Sequence, residues 1–120
     1  MAPTIKVYSY SRCSTCRKAL AWLDANNLAY EVVDITIAPP SKEELSLAFD
    51  RLVRRQLLFN TSGQSYRALG AAVVKAMSDD EALAALAADG RLIKRPFVAL
   101  PSGDFLVGFK LEEWNQALLG

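Results

Sequence analysis

The sequence predicts an α/β fold with a mixed sheet of about four strands, and three observations lead to this prediction. Segments in which apolar and polar residues alternate come before and after a first amphipathic helix in the sequence, which is typical of a β-α-β unit. Helical patterns then fill residues 38–90. Two further strands and a short helix end the chain, so the strands of the sheet come from both of its ends.

The β-α-β unit is predicted from local periodicity. Alternating apolar residues predict a first strand at 4–9 and a second strand at 30–35. Between them, apolar side chains recur at helical spacing over 14–26. The asparagine pair Asn26-Asn27 provides a stop, so the first helix is expected to end there.

Two capping boxes predict helices in the middle of the chain. Ser41 is followed three residues later by Glu44, and Ser78 is followed in the same way by Glu81. In such a box the serine side chain caps the first turn of a helix. Gly90 is expected to end the second of these helices as the glycine just after its last turn.

The helical patterns continue between the two capped helices. Turn-forming residues interrupt the segment 57–77 and favour short helices there over strands. Arg51, Arg54 and Arg55 are expected to coat a solvated helix face. The whole segment 38–90 is therefore predicted as a helical insertion.

Strand patterns return near the end of the chain. The elements predicted there are strands at 97–100 and 105–109 and a helix at 111–119. The turn Pro101-Ser102-Gly103-Asp104 would join the two strands as a hairpin. The order of elements is that of a thioredoxin-like fold with a helical insertion. We expect one domain, 1–120, in which the thioredoxin-like core is formed by 1–37 and 91–120.

The composition excludes several classes of function. With 14 basic and 13 acidic residues in 120, the chain has no basic field for direct DNA binding. No apolar run approaches the roughly 20 residues of a membrane span, and the N-terminus lacks a secretory layout. We therefore expect a cytoplasmic protein with no membrane association. The absence of histidine excludes hydrolases of the usual triad type and most zinc sites.

A pair of cysteines, Cys13 and Cys16, opens the first predicted helix. The helix N-terminus, together with Arg12 and Arg17, favours the thiolate of Cys13. Cys16 would lie one turn along, within disulfide reach, and could attack a mixed disulfide formed on Cys13. Two cysteines alone do not supply the four ligands of a structural zinc site, so no metal is expected. The alternative interpretation is that both thiols are small buried apolar groups.

The dipeptide Arg95-Pro96 is the second candidate feature. In a thioredoxin-like fold, a proline that opens the third strand lies beside the cysteines, commonly after a cis peptide bond. Arg95 would then present an anion-binding guanidinium toward Cys13. A strand-entry proline and a solvated surface arginine are the alternatives.

Three blocks of sequence together resemble the ArsC/Spx superfamily. They are YSYSRCSTCRKA at 8–19, FNTSGQSYR at 59–67, and KRPF at 94–97 followed by Gly108-Phe109. The resemblance covers essentially the whole chain. It implies a thioredoxin fold with a helical insertion, a reactive Cys13, and an arginine before a cis proline at Arg95-Pro96. The superfamily contains arsenate reductases, which use glutathione and glutaredoxin, and Spx-type regulators, which bind the RNA polymerase alpha subunit and sense oxidation.

The chain departs from the arsenate reductase pattern at three positions. That pattern has arginines near positions 59 and 110, where this sequence has Phe59 and Lys110. A lysine cannot make the bidentate contacts of an arginine to an oxyanion. The pattern of the glutathione-dependent enzymes also has serine where this chain has Cys16, which resembles the Spx branch.

Two functional hypotheses follow. In the first, the chain is a thiol-disulfide oxidoreductase of the ArsC-like type: Cys13 attacks an oxidised substrate, and Cys16 or glutathione resolves the product. Its electron donor would be glutathione, thioredoxin or glutaredoxin, with no bound cofactor. The residues assigned to anion or substrate binding are Arg12, Arg17, Arg95, Pro96 and Lys110. In the second, the chain is an Spx-type redox-sensing regulator whose partner is the RNA polymerase alpha subunit.

Overall fold

A computed structural model describes residues 4–52 and 55–120, and its centre is a four-stranded mixed sheet. The strands are β1 (Ile5–Ser9), β2 (Tyr30–Asp34), β3 (Phe97–Ala99) and β4 (Phe105–Val107). Their order across the sheet is β2-β1-β3-β4. β1 pairs in parallel with β2 and antiparallel with β3, and β3 and β4 are antiparallel. The predicted α/β class with four strands is confirmed.

The described helices follow the predicted order. They are α1 (Ser14–Ala25), α2 (Lys42–Arg51), α3 (Gln64–Leu69), α4 (Ala71–Ala76), α5 (Asp79–Ala88) and α6 (Leu111–Leu118). Short 3₁₀ helices lie at Arg55–Leu58 and Gly90–Leu92. The short helices expected between residues 57 and 77 are therefore present. The helical spacing after Ser41 also predicts Val53 on the apolar face of that helix, but Val53 and Arg54 lie outside the described residues. None of the helices that the structure describes is long and apolar enough to cross a membrane.

The chain divides into two compact units, one that joins the residues before Ile35 to Arg95–Gly120 and one that is Ile35–Lys94. The first, called the sheet unit below, contains the sheet, α1 and α6. The second, called the helical unit, contains the other described helices. The core of the sheet unit is formed by Ile5, Val7, Ala19, Leu23, Val98, Leu106 and Trp114. The bounds expected from the sequence, 1–37 and 91–120 for the thioredoxin-like core and 38–90 for the insertion, stay a prediction.

The ends of the sheet elements have local causes. α1 stops at its C-cap Asn26, and Asn27 follows with a φ of 56°, in the left-handed region that asparagine tolerates. In the hairpin, the Gly103 N–H donates to the Leu100 carbonyl at 3.0 Å, and Gly103 has a φ of 90°. Because Leu100 belongs to this turn, β3 ends at Ala99, one residue before the predicted end.

β4 is also shorter than predicted, since it ends at Val107 and not at residue 109. The cause is Gly108, whose φ of 74° turns the backbone out of the extended conformation. The Gly108 N–H still donates to the carbonyl of Pro96 at 2.9 Å. The end of β4 is therefore tied to the start of β3.

In the helical unit both capped helices begin as predicted. Ser41 Oγ accepts the Glu44 N–H at 3.1 Å at the start of α2. At the start of α5 the box is reciprocal: Ser78 Oγ accepts the Glu81 N–H at 3.1 Å, and the Ser78 N–H donates to the Glu81 carboxylate at 3.0 Å. Both serines thus satisfy amides that the first helical turn leaves unpaired.

Gly90 has a different role from the one expected of it. It follows the C-cap Asp89 of α5, but its φ does not lie in the left-handed region. Its backbone packs directly on Ile35, so a Cβ at this position would overlap the Ile35 carbonyl oxygen. Glycine is required here by the close approach of two backbones and not by the conformation of a helix end.

The expected solvated position of Arg55 is wrong. Its side chain is only 19% exposed, and Nη1 forms an ion pair with Asp79 at 2.8 Å. Nη2 donates to the carbonyls of Met77 and Val74 at 2.5 and 3.3 Å. The Val74 carbonyl also accepts the Met77 N–H at 3.2 Å, so the guanidinium is a second donor there. Through the Met77 carbonyl it caps the C-terminal end of α4.

Candidate functional site

Cys13 is the N-cap of α1, with its backbone extended at φ −92° and ψ 114°. Its Sγ accepts the backbone N–H of Cys16 at 3.3 Å, which is the contact that a serine or asparagine oxygen usually makes at this position. The Cys13 N–H donates to the carbonyl of Tyr10 at 3.0 Å. The sulfur is therefore held at the positive end of the helix dipole, and the residue is partly exposed.

Cys16 lies behind Cys13 and is 0% exposed. Its thiol hydrogen-bonds with the Cys13 side chain. Burial, and then this hydrogen bond, raise the pKa of Cys16 to about 11, against an opposing effect of the Tyr10 amide and the Ser9 hydroxyl. The two thiols thus have different surroundings, since one reaches solvent and the other is enclosed.

The Arg95-Pro96 peptide bond is cis, as expected. Arg95 is half-buried, and its guanidinium carbon lies 5.0 Å from the centroid of the Tyr10 ring. Because Tyr10 also binds the backbone of Cys13, the contact brings Arg95 to the loop that carries the cysteine. Pro96 is buried at the start of β3.

The other predicted anion-binding residues are exposed at this end of the sheet unit. Arg17 donates from Nη1 to the Ser11 carbonyl at 2.8 Å, in the loop before Cys13. Arg12 is exposed in the same loop. Lys110 is the exposed N-cap residue of α6 and makes no side-chain capping bond. The structure therefore brings Arg95 and Arg17 to the cysteine loop by direct contacts, whereas Arg12 and Lys110 are placed only by their positions in the chain.

Phe59, which stands where the arsenate reductase pattern has an arginine, is a packing residue. It is buried in the helical unit, and its ring lies 6.2 Å from that of Tyr66 in an edge-on arrangement. Its backbone forms an isolated bridge with Ile93. An apolar ring in this setting adds no donor for an oxyanion.

Sequence reasoning missed two residues of this site, Ser9 and Tyr10. Ser9 is buried, with its hydroxyl on the Cys16 sulfur, and Tyr10 supplies an amide to that sulfur and a ring to Arg95. A signal for Ser9 was present, since side chains alternate along a strand and Ser9 shares a face with Ile5 and Val7. A polar residue on an otherwise apolar face indicates a buried polar contact.

A groove opens beside this site in the sheet unit. Its volume, which includes space open to solvent, is about 430 Å³, and it is lined by Ser9, Ser11, Leu20, Val32 and Asp34. Ser9 and Asp34 are neighbours in the parallel pairing of β1 with β2. The groove therefore reaches from the open edge of the sheet to the residue that contacts Cys16.

Curated relatives connect the chain with two kinds of protein. It is 33% identical to an arsenate reductase of Neisseria meningitidis over 97% of this chain and 99% of the relative. It is 28% identical to the global transcriptional regulator Spx of Streptococcus agalactiae, over 91% of this chain and 79% of the relative. It is also 38% identical to the uncharacterized protein YusI of Bacillus subtilis, over 94% and 97% of the two chains.

Solved structures agree with this result. A possible arsenate reductase from Streptococcus mutans superposes with a TM-score of 0.85 at 38% identity, covering 93% of this chain and 98% of the other. The thioredoxin-like fold with its four-stranded sheet is thus shared with these proteins. The ArsC family model matches residues 8–117, from the last part of β1 to α6. With the fold, the relatives and this match in agreement, the chain belongs to the ArsC family.

Proposed function

We propose that the chain is a cytoplasmic thiol-disulfide oxidoreductase of the ArsC-like type. Cys13 is its nucleophile, and Cys16 or glutathione resolves the intermediate. The observation that carries the proposal is the position of the Cys13 sulfur. It is partly exposed at a helix N-cap, it accepts the Cys16 amide, and a second thiol is hydrogen-bonded to it.

The first step needs a thiolate that a substrate can reach. Unpaired amides and the dipole at the start of α1 stabilise a negative charge on the Cys13 sulfur. This thiolate attacks one sulfur of a disulfide substrate, the bond between the substrate sulfurs breaks, and one thiolate leaves. Cys13 is then held in a mixed disulfide with the other half of the substrate.

The second step uses the neighbouring thiol. Cys16 loses its proton and attacks the sulfur of Cys13, and the second half of the substrate leaves as a thiolate. The substrate has then gained two electrons, and the enzyme holds a Cys13-Cys16 disulfide. Glutathione, thioredoxin or glutaredoxin would return the electrons; alternatively, glutathione attacks the mixed disulfide in place of Cys16.

The cationic residues around Cys13 would hold an anionic substrate. Arg95 and Arg17 support this role through their contacts with the cysteine loop, and Arg12, Pro96 and Lys110 complete the proposed site. An oxyanion such as arsenate, and an anionic thiol such as glutathione in a mixed disulfide, are the two substrate classes that such a site would accept. With a buried phenylalanine at 59 and a lysine at 110, we expect disulfides to be reduced more efficiently than arsenate.

Turnover measurements test this proposal. The wild type, Cys13→Ser and Cys16→Ser would be compared on a glutathione mixed disulfide and on arsenate, each with the glutathione and the thioredoxin system. We expect Cys13→Ser to be inactive and Cys16→Ser to retain turnover only with glutathione. No turnover by the wild type with either system, or equal turnover by Cys13→Ser, would contradict the proposal.

The hydrogen-bonded cysteine pair also supports a second candidate function, that of an Spx-type redox sensor. In this role, oxidation to the Cys13-Cys16 disulfide would change the affinity for the RNA polymerase alpha subunit. Binding of purified alpha subunit to the reduced and the oxidised protein would be compared, with Cys16→Ser as the variant that cannot form the Cys13-Cys16 disulfide. Equal binding in both states would exclude the sensor function, and so would equal redox dependence in Cys16→Ser.

A further inference from the structure

Ser9 connects a reacting sulfur with solvent. Among the polar and charged residues in the described ranges 4–52 and 55–120, Ser9 is the one that is buried, with an exposed fraction of 5%. On one side its hydroxyl hydrogen-bonds with the thiol of Cys16, and on the other side it lines the groove. No part of Cys16 is itself exposed. A proton that leaves its thiol other than through Cys13 must therefore pass to a neighbouring polar group, and the Ser9 hydroxyl is such a group.

The resolving step requires such a route. Before the reaction, Cys16 donates its S–H to Cys13, a bond that contributes to its raised pKa. When the Cys13 sulfur has entered a mixed disulfide, it is a weaker acceptor. Cys16 must then release its proton, because a thiol attacks a disulfide only as its thiolate.

We propose that Ser9 is a catalytic residue of the resolving step, whose hydroxyl passes the Cys16 proton to solvent in the groove and then stabilises the thiolate. This inference rests on the thiol-disulfide function proposed above. A serine hydroxyl can accept one proton while it gives up its own, so its charge does not change during the transfer. Afterwards, the O–H of Ser9 and the N–H of Tyr10 both donate to the Cys16 sulfur, which replaces the lost hydration of the anion.

The step is balanced in atoms and electrons. The proton of Cys16 goes through Ser9 to water in the groove, and the electron pair left on sulfur forms the bond to the Cys13 sulfur. The bond between Cys13 and the substrate sulfur breaks, and its electron pair leaves with the substrate thiolate. Ser9 ends the step as the neutral hydroxyl that it was before.

The charged groups nearby do not replace this role. The Cys13 side chain faces Cys16 from the start of the same helix. Asp34 lines the groove from β2, and a carboxylate there would repel a thiolate. The guanidinium of Arg17 is bonded to a loop carbonyl, and that of Arg95 lies over a loop aromatic ring. A neutral hydroxyl is therefore the donor that stabilises the Cys16 anion from within the strand.

Single-turnover reaction with dithiobis(nitrobenzoate) tests the proposal, because each of the two steps releases one coloured thionitrobenzoate. The first release reports attack by Cys13, and the second reports resolution by Cys16. We expect Ser9→Ala to slow the second release by about ten- to hundredfold at neutral pH, the range for a lost hydrogen bond to a charged group. Its pH profile should also shift to higher pH, while the first release stays unchanged.

Matched variants separate this role from a structural one. Ser9→Thr keeps the hydroxyl and should restore the second release. Ser11→Ala makes the same chemical change in the same groove and should behave as the wild type. If Ser9→Ala gives the second release with the rate and pH profile of the wild type, the role of Ser9 is overturned and the thiol-disulfide function is not. No second release by the wild type, or an equal one by Cys16→Ser, would instead overturn the thiol-disulfide function.

Discussion

The guanidinium of Arg95 lies over the ring of Tyr10, with its carbon 5.0 Å from the ring centroid. Through its carbonyl, Tyr10 also accepts the backbone N–H of Cys13 at 3.0 Å. One aromatic residue therefore links the arginine before β3 to the backbone of the candidate nucleophile.

We predict that Tyr10→Ala weakens anion binding at the site by about two- to fivefold, the size of an exposed cation–π interaction. The measurement is the sulfate or arsenate concentration that halves the rate of Cys13 alkylation by a neutral reagent. Tyr10→Phe keeps the ring and should bind the anion as the wild type does. Equal losses in both variants would show that the hydroxyl of Tyr10 matters and not its ring.

The buried thiol of Cys16 should make the stability of the reduced protein depend on alkaline pH. Burial raises its pKa to about 11 from 9.0, so the folded state holds this proton at pH values where the unfolded chain has lost it. The contribution of Cys16 to stability is thus complete below about pH 9 and is lost as the pH rises toward 11. The expected loss is on the order of 1 kcal/mol per pH unit in this window.

Urea unfolding of the wild type and of Cys16→Ala under reducing conditions measures this effect. The difference in unfolding free energy between the two should shrink steadily from about pH 9 to pH 11. Titrating groups that do not contact Cys16 are common to both proteins and cancel in the difference. A difference that does not vary with pH would refute the prediction.

Replacement of Arg55 should destabilise the protein far more than replacement of a surface arginine. Arg55→Met removes the ion pair with Asp79 and the guanidinium bonds to the carbonyls of Val74 and Met77, of which Val74 keeps the Met77 N–H as a donor. We expect a loss of about 1–3 kcal/mol in unfolding free energy. Arg51→Met, an exposed position in the last turn of α2, is the control and should change it by less than about 0.5 kcal/mol. Similar losses in the two variants would contradict the assignment.

The capping box at the start of α5 should stabilise the helical unit at neutral pH. Ser78→Ala removes one of its two hydrogen bonds and should cost about 1 kcal/mol. The control is Ser62→Ala, which changes an exposed serine outside any helix. Thermal or urea unfolding measures both.

The same box predicts a dependence on acid. Hydrogen bonds from the backbone and side chain of Ser78 lower the pKa of Glu81. Its stabilising effect is therefore present above the ordinary pKa of a glutamate and is lost as the pH falls through the lowered pKa. The difference between the wild type and Glu81→Gln should shrink in acid, because only the wild type has the carboxylate that accepts the Ser78 N–H, and a constant difference would refute the role of the Glu81 carboxylate.

Features with local causes could be predicted from the sequence. Strand alternation, helical spacing and the two serine caps led to the β-α-β start, to α2 and to α5, and the family resemblance placed the cis bond at Arg95-Pro96. The positions of Cys13 and Cys16 at the helix start follow from the same local pattern. These elements need few partners from distant parts of the chain.

Features that depend on distant partners were missed. Arg55 is separated by about twenty residues from the carbonyls that it binds, so its charge alone indicated a solvated side chain. The contact of Arg95 with Tyr10 forms only when β3 pairs beside β1. Ser9 is the last residue of the strand predicted at 4–9, and its burial depends on its place on the apolar face of β1 and not on its residue type.

The direct packing of Gly90 on Ile35 has a consequence for changes in chain length. Ile35 is the first residue of the helical unit, and Gly90 lies close to its last, Lys94. The unit is therefore a loop whose two ends are already closed against each other, and the entropy of closing a loop grows only slowly with its length. Residues added to the exposed turn at Thr61-Ser62 should therefore cost little closure entropy, as long as position 90 carries no side chain.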